Sequence, residues 1–97
     1  MRLIARKTLR TFWDRYPDSQ SSLQAWCADV KQAIWHTPTD ITAVYRTAGI
    51  LPNNRVVFNL KGNPYRLVVA INYAYGLVYI RFVGTHRDCD QIDTTSI

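Results

Sequence analysis

Two arginines, a histidine and a tyrosine fall on one side of a two-residue repeat in this 97-residue chain, and they are its chemically suggestive residues. From Arg55 to Asp90 the sequence reads RVVFNLKGNPYRLVVAINYAYGLVYIRFVGTHRDCD. Strand alternation sends Asn59, Arg66, Asn72, Tyr79 and Arg81 to one face. His86 follows just past the last apolar run. Guanidinium forks present paired donors to anionic oxygens. Imidazole exchanges protons near neutral pH, and an aromatic face such as Tyr79 can receive a nucleotide base. Lys61 adds a cation in a turn, and Asn59 is a polar side chain within a strand that has to find a partner. The group is suited to holding something anionic. Simpler readings stand beside this one: each arginine pairs with an aspartate or solvates the sheet, His86 bonds Asp88 or Asp90, and Tyr79 packs across strands on Tyr73.

The elements that must position these residues divide into two halves. Arg2–Ala5 reads as a short first strand. Leu9, Phe12, Trp13 and Tyr16 recur at helical spacing over 7–16, and Pro17 ends that helix. Hydroxyls at Ser19 to Ser22 offer caps for a second helix whose stripe is Leu23, Trp26, Cys27, Val30 and Ile34. That helix ends near His36, which reads as a residue complementing the helix dipole, while Trp35 departs from the stripe and is expected on the surface. A short helical turn is expected within 39–49, capped by Thr39 or Asp40, followed by a loop through Asn54. The period then changes to two. Strands are expected over 55–60, 65–73 and 77–84, joined by turns at Lys61-Gly62-Asn63 and Tyr75-Gly76. Inward positions are Val56, Phe58, Leu60, Leu67, Val69, Ile71, Val78, Ile80 and Phe82. The expected fold class is α+β: two N-terminal helices packed on one face of a small antiparallel β-sheet, as one domain over 1–97, with a frayed tail at 91–97.

Composition narrows the chemistry. The net charge is +5 with a pI near 9.6, which favours a polyanionic partner such as nucleic acid or an acidic protein. All seven acids are aspartates, so a glutamate base is excluded. Two cysteines are too few for a disulfide framework, and no segment approaches the ~18–20 apolar residues of a membrane span. A reduced, cytoplasmic protein without membrane attachment is expected. His86, Asp88, Cys89 and Asp90 lack the spacing of a structural zinc site, so neither metal nor other cofactor is expected.

The segments Val57-Phe58-Asn59-Leu60-Lys61-Gly62-Asn63-Pro64-Tyr65-Arg66-Leu67 and Tyr79-Ile80-Arg81-Phe82-Val83-Gly84-Thr85-His86 resemble the HigB toxins of the RelE-like superfamily, part of type II toxin–antitoxin systems. The Met-Arg-Leu-Ile opening and the Leu9–Trp13 helix share the likeness. Cys89 stands where that family usually carries tyrosine. The resemblance implies an mRNA interferase, an endoribonuclease acting on mRNA in the ribosomal A site, with no metal. It implies catalytic roles for Arg66, Arg81 and His86 and RNA contacts for Asn59, Lys61 and Tyr79. It further implies a neutralising HigA-type helix-turn-helix antitoxin, with operator DNA reached only through that antitoxin. A non-catalytic RNA- or ribosome-binding module, or a protein that only holds a helix-turn-helix regulator, is the alternative on the same fold.

Overall fold

Alternate residues of three long strands turn inward, as a pleated strand requires. In the computed structural model, which describes residues 1–60 and 64–97, strand β3 (Arg55–Asn59) buries Val56 and Phe58 against the helices. On the same side, β4 (Tyr65–Asn72) buries Leu67, Val69 and Ile71, and β5 (Leu77–Thr85) buries Val78 and Ile80. These side chains join Leu9 and Trp13 of α1 (Arg6–Arg15) and Leu23, Trp26, Cys27 and Val30 of α2 (Gln20–Gln32) in one core. Each fully buried Leu, Val or Phe there contributes roughly 1.5–3 kcal/mol. The Lys61-Gly62-Asn63 turn, and with it Lys61 as a phosphate contact, lies outside the described residues.

The sheet has five strands in the order β1-β5-β4-β3-β2, with β1 (Arg2–Ile4) and β2 (Gly49–Leu51) at its edges. It is mixed rather than wholly antiparallel, because β1 pairs in parallel with β5, Arg2 opposite Leu77 and Ile4 opposite Tyr79. The intervening helices and strands supply the long crossover that a parallel pair needs. The stretch read as a loop at 49–51 is a strand paired with Arg55–Val57. Its turn places Asn53 and Asn54 at φ 60° and 58°, a left-handed region that asparagine tolerates better than most residues.

One strand departs from strict alternation. Val68 pairs with Phe82 but Val69 pairs with Ile80, so Arg81 is the extra residue of a β-bulge. The bulge reverses parity downstream. Val83 instead of Phe82 faces the helix-side core, and Phe82 packs with Val57, Val68 and Cys89 on the opposite face. That face is therefore not uniformly polar: it carries a second, smaller apolar cluster beside the functional candidates.

Helix α2 stops at Gln32, where Ala33 turns extended with ψ 148°. From there the side chains alternate, which buries Trp35 and leaves Ile34 75% exposed, the reverse of the expectation. Trp35 stacks near Phe58 at 6.1 Å. His36 does not cap α2; its backbone N–H donates to the Asp40 carboxylate at 2.8 Å, at the start of α3 (Pro38–Val44). Ser19 likewise caps nothing, since its hydroxyl donates back to the Tyr16 carbonyl at 2.7 Å.

Candidate active site

The end of β5 runs directly into a short helix, α4 (His86–Asp90). The sequence carries a sign of it: Thr85 and Asp88 stand at capping-box spacing, and the Thr85 hydroxyl accepts the Asp88 backbone N–H at 3.1 Å. The helix is fixed from below by Cys89, 7% exposed in the apolar cluster with Val57 and Val68. Burial pushes the Cys89 thiol up, while the nearby Arg66 guanidinium pulls it the other way. Cys89 therefore anchors the helix that carries the exposed His86.

Arg66 and His86 are brought together. The Arg66 Nη2 lies 3.1 Å from His86 Nδ1 and 2.9 Å from Nε2. A nitrogen this close to both ring nitrogens sits over the imidazole, because their in-plane lone pairs diverge. Asp90 stands one helical turn along, its Oδ2 3.7 Å from His86 Nε2, with the two side chains 56% and 70% exposed. At that exposure and distance the carboxylate holds the ring loosely. The Arg66 Nε is buried and has no hydrogen-bond partner among the described residues. Such an orphaned donor ordinarily costs about 1–3 kcal/mol.

Arg81 and Tyr79 form a second pair on the same face. The bulged Arg81 is exposed, and its guanidinium carbon lies 5.5 Å from the Tyr79 ring centroid. Arg66 is opposite Gly84, so Arg81 is three residues further along, about 10 Å at strand rise. Its side chain rests on Tyr79, on the side away from His86. Tyr73 belongs to the helix-side core, which removes the cross-strand packing considered for Tyr79. Asn59 lies across from Arg66, and its Nδ2 donates to the Thr47 carbonyl at 2.8 Å. That amide is at least partly occupied in tying β3 to the segment before β2. Arg66 with His86, and Arg81 with Tyr79, are thus two cationic stations along one sheet face, with Asn59 at its border.

Residues 19–92 match the family model described as HigB_toxin, RelE-like toxic component of a toxin-antitoxin system. The chain belongs to the HigB toxin family. It is also similar to the mRNA interferase toxin HigB of Escherichia coli strain K12 and to the mRNA interferase HigB of Shigella flexneri. Each is 28% identical over 92 residues, covering 93% of this chain and 88% of the relative. In this HigB-family chain the matched span runs from the start of α2 past the end of α4, so it includes both cationic stations and the helix carrying His86. Among the described residues, no helix is long and apolar enough to cross a membrane.

Proposed function

We propose that this chain is a toxin that acts as an mRNA interferase, cutting RNA by attack of a ribose 2′-OH on the adjacent phosphate. The observation that carries the reading is the Arg66–His86 contact in a chain of this family. The 2′-OH gives up its proton, O2′ bonds to phosphorus, and the bond to the 5′-oxygen breaks. A 2′,3′-cyclic phosphate remains and the departing oxygen takes a proton. The Arg66 guanidinium sits where an incoming phosphate oxygen would draw it off the imidazole, and its unpartnered Nε would gain an acceptor. Arg81, set at the bulge, is long enough to swing from Tyr79 towards the same phosphate and free that ring to stack on a base. His86 makes one of the two proton transfers. Asn59 and Lys61 are assigned contacts with the RNA. None of these roles requires a metal ion.

The same reading assigns mRNA in the ribosomal A site as substrate and the cytoplasm as workplace. It assigns a HigA-type helix-turn-helix antitoxin as neutralising partner, with operator DNA approached through that partner alone. The relatives' names as mRNA interferases support the enzyme over a module that merely grips RNA. Primer extension on translated mRNA, after the chain is expressed without an antidote, separates the two. Mapped cuts are expected in the wild type and are lost in Arg81→Ala and His86→Ala proteins that still fold. An intact message in the wild type, with ribosomes present, would remove the enzyme. Cuts persisting in both variants would remove the site.

A further inference from the structure

Two arginines of the sheet are held in opposite ways. Arg66 keeps its buried Nε without an acceptor among the described residues. Arg55 has every guanidinium nitrogen engaged. Its Nε and Nη2 donate to the Ile97 main-chain oxygen at 3.0 and 2.6 Å, and its Nη1 donates to the Asn53 carbonyl at 2.8 Å. Arg55 stands four residues along β3 from Asn59, which lies opposite Arg66, so about 13 Å of strand separates the two arginines. Satisfied by main-chain oxygens and set that far from His86, Arg55 is placed to hold structure rather than a reacting phosphate. What it holds is the segment 91–97, whose last residue is 42 positions away in sequence.

We infer that Arg55 is a positioning residue: through residues 91–97 it clamps the C-terminal end of α4 and so sets His86 against Arg66. Helix α4 has five residues, too few to persist without outside support. Its first turn is held by the Thr85 cap and by the His86 N–H, which donates to the Pro64 carbonyl at 2.8 Å. Its last turn closes through the Gln91 N–H to the Asp88 carbonyl at 3.2 Å and the Ile92 N–H to the Cys89 carbonyl at 3.3 Å. The segment that follows is stiffened by a turn of its own. The Asp93 carboxylate accepts the Thr95 N–H and hydroxyl at 3.1 and 2.8 Å, and the Ser96 N–H donates to the Asp93 carbonyl at 3.2 Å. Beyond that turn, the Asn53 amide donates to the Thr95 carbonyl at 3.2 Å and Arg55 takes hold of Ile97. Ile97 and Cys89 rest on one apolar cluster with Val57 and Val68, so the path from α4 to Arg55 is anchored at both ends. A slack segment would leave the last turn of α4 unheld, and with it Asp90, which stands 3.7 Å from the His86 imidazole. Neither Cys89 nor Ile97 belongs to the helix-side core, so releasing the clamp disturbs the candidate site while the fold stands. The kinetic part of this inference rests on the proposed RNA cutting; the clamp itself does not.

The test compares Arg55→Gln with Asn53→Ala/Ile97→Ala, which loosens the same segment and leaves Arg55 in place. Tyr45→Phe loses one hydrogen bond beside the helix-side core and controls for a general loss of stability. Amide exchange over 86–92 should quicken by about tenfold in both clamp variants, the effect of losing one or two hydrogen bonds. Amides of β4 should change no more than they do in Tyr45→Phe. On translated message, the cutting rate at saturation should fall by up to about 10²-fold in both clamp variants. The half-saturating concentration should change less than about twofold, since the lost positioning acts on the reacting geometry and not on binding. Unchanged exchange over 86–92 would overturn the inference. Acceleration spread evenly through β4 and α4 would mark a purely structural bond and overturn it too. A loss confined to half-saturation, in Arg55→Gln alone, would make Arg55 a direct RNA contact and likewise overturn the clamp. If the wild type cuts nothing, the proposed reaction fails, and the exchange pattern still decides the clamp.

Discussion

Arg66 touches the imidazole of His86, exerts a field on the Cys89 thiol, and keeps one buried donor unused. A side chain so placed is held ready by its neighbours and still has a hydrogen bond to give, which suits charge that appears only in a transition state. Removing it should lower the rate of mRNA cutting by about 10²–10³, measured as the initial rate of product appearance on translated message. Because Arg66 and His86 are in contact, their effects should not add. Arg66→Ala/His86→Ala should cut little more slowly than the worse single variant, and strictly multiplicative losses would show that the two act apart. Asn59 belongs to structure at least as much as to RNA. Its bond to the Thr47 carbonyl predicts that Asn59→Ala loses about 0.5–1.5 kcal/mol in urea denaturation, whatever it does to binding.

At the scale of elements, the bulge in β5 decides how the face is furnished. With one extra residue, Arg81 projects free of the ladder and Phe82 swings to the functional face. Gly84 is what lets that ring lie down: a Cβ there would stand 2.5 Å from Phe82 Cζ and 3.4 Å from the Asp88 Cβ. Phe82 is packed into the second apolar cluster and cannot simply swing away. Gly84→Ala should therefore destabilise the protein by about 1–3 kcal/mol, read by chemical denaturation. Trimming the ring in Gly84→Ala/Phe82→Leu should recover part of the loss, and no recovery would mean the clash lies elsewhere. Helix α4 depends on its cap in the same way. Thr85→Ala removes the acceptor for the Asp88 N–H, at about 1 kcal/mol, and should speed amide exchange over 86–90.

For the whole molecule, long-range polar bonds join layers that the apolar core alone would leave free to slide. The Tyr65 hydroxyl donates to the Asp18 carboxylate at 2.7 Å, and the Tyr45 hydroxyl to Asp29 at 2.5 Å. The bond to Asp18, then burial, raises the Tyr65 phenol; burial first, and then Asp29, raises the Tyr45 phenol strongly. A phenol whose folded-state value is raised stabilises the fold below its unfolded value and loses that contribution as pH climbs through the folded one. Stability should therefore decline above about pH 10. The decline should be gentler in Tyr45→Phe/Tyr65→Phe, as followed by thermal melts from pH 8 upward. Residues 91–97, expected to fray, lie back across the second face. Arg55 Nη2 donates to the Ile97 main-chain oxygen at 2.6 Å, Asn53 donates to the Thr95 carbonyl at 3.2 Å, and Ile97 packs against the Val57–Val68–Cys89 cluster.

Periodicity determined what periodicity can encode. The stripe of Leu9, Trp13, Leu23, Trp26 and Val30 and the alternation from Val56 to Ile80 depend on local backbone geometry, so helices, strands and their inward faces are legible from the sequence alone. The same alternation put Arg66 and Tyr79 on the face away from the helices. What the chain order could not carry is whatever depends on a partner distant in sequence. A bulge at Arg81 exists only in relation to Val68 and Val69; the strand at Gly49 exists only because Val57 offers it hydrogen bonds. Trp35 is buried because Phe58 waits for it. Arg66 and His86 are twenty residues apart, and only the pairing of β4 with β5, followed by a helix anchored through Cys89, sets one over the other.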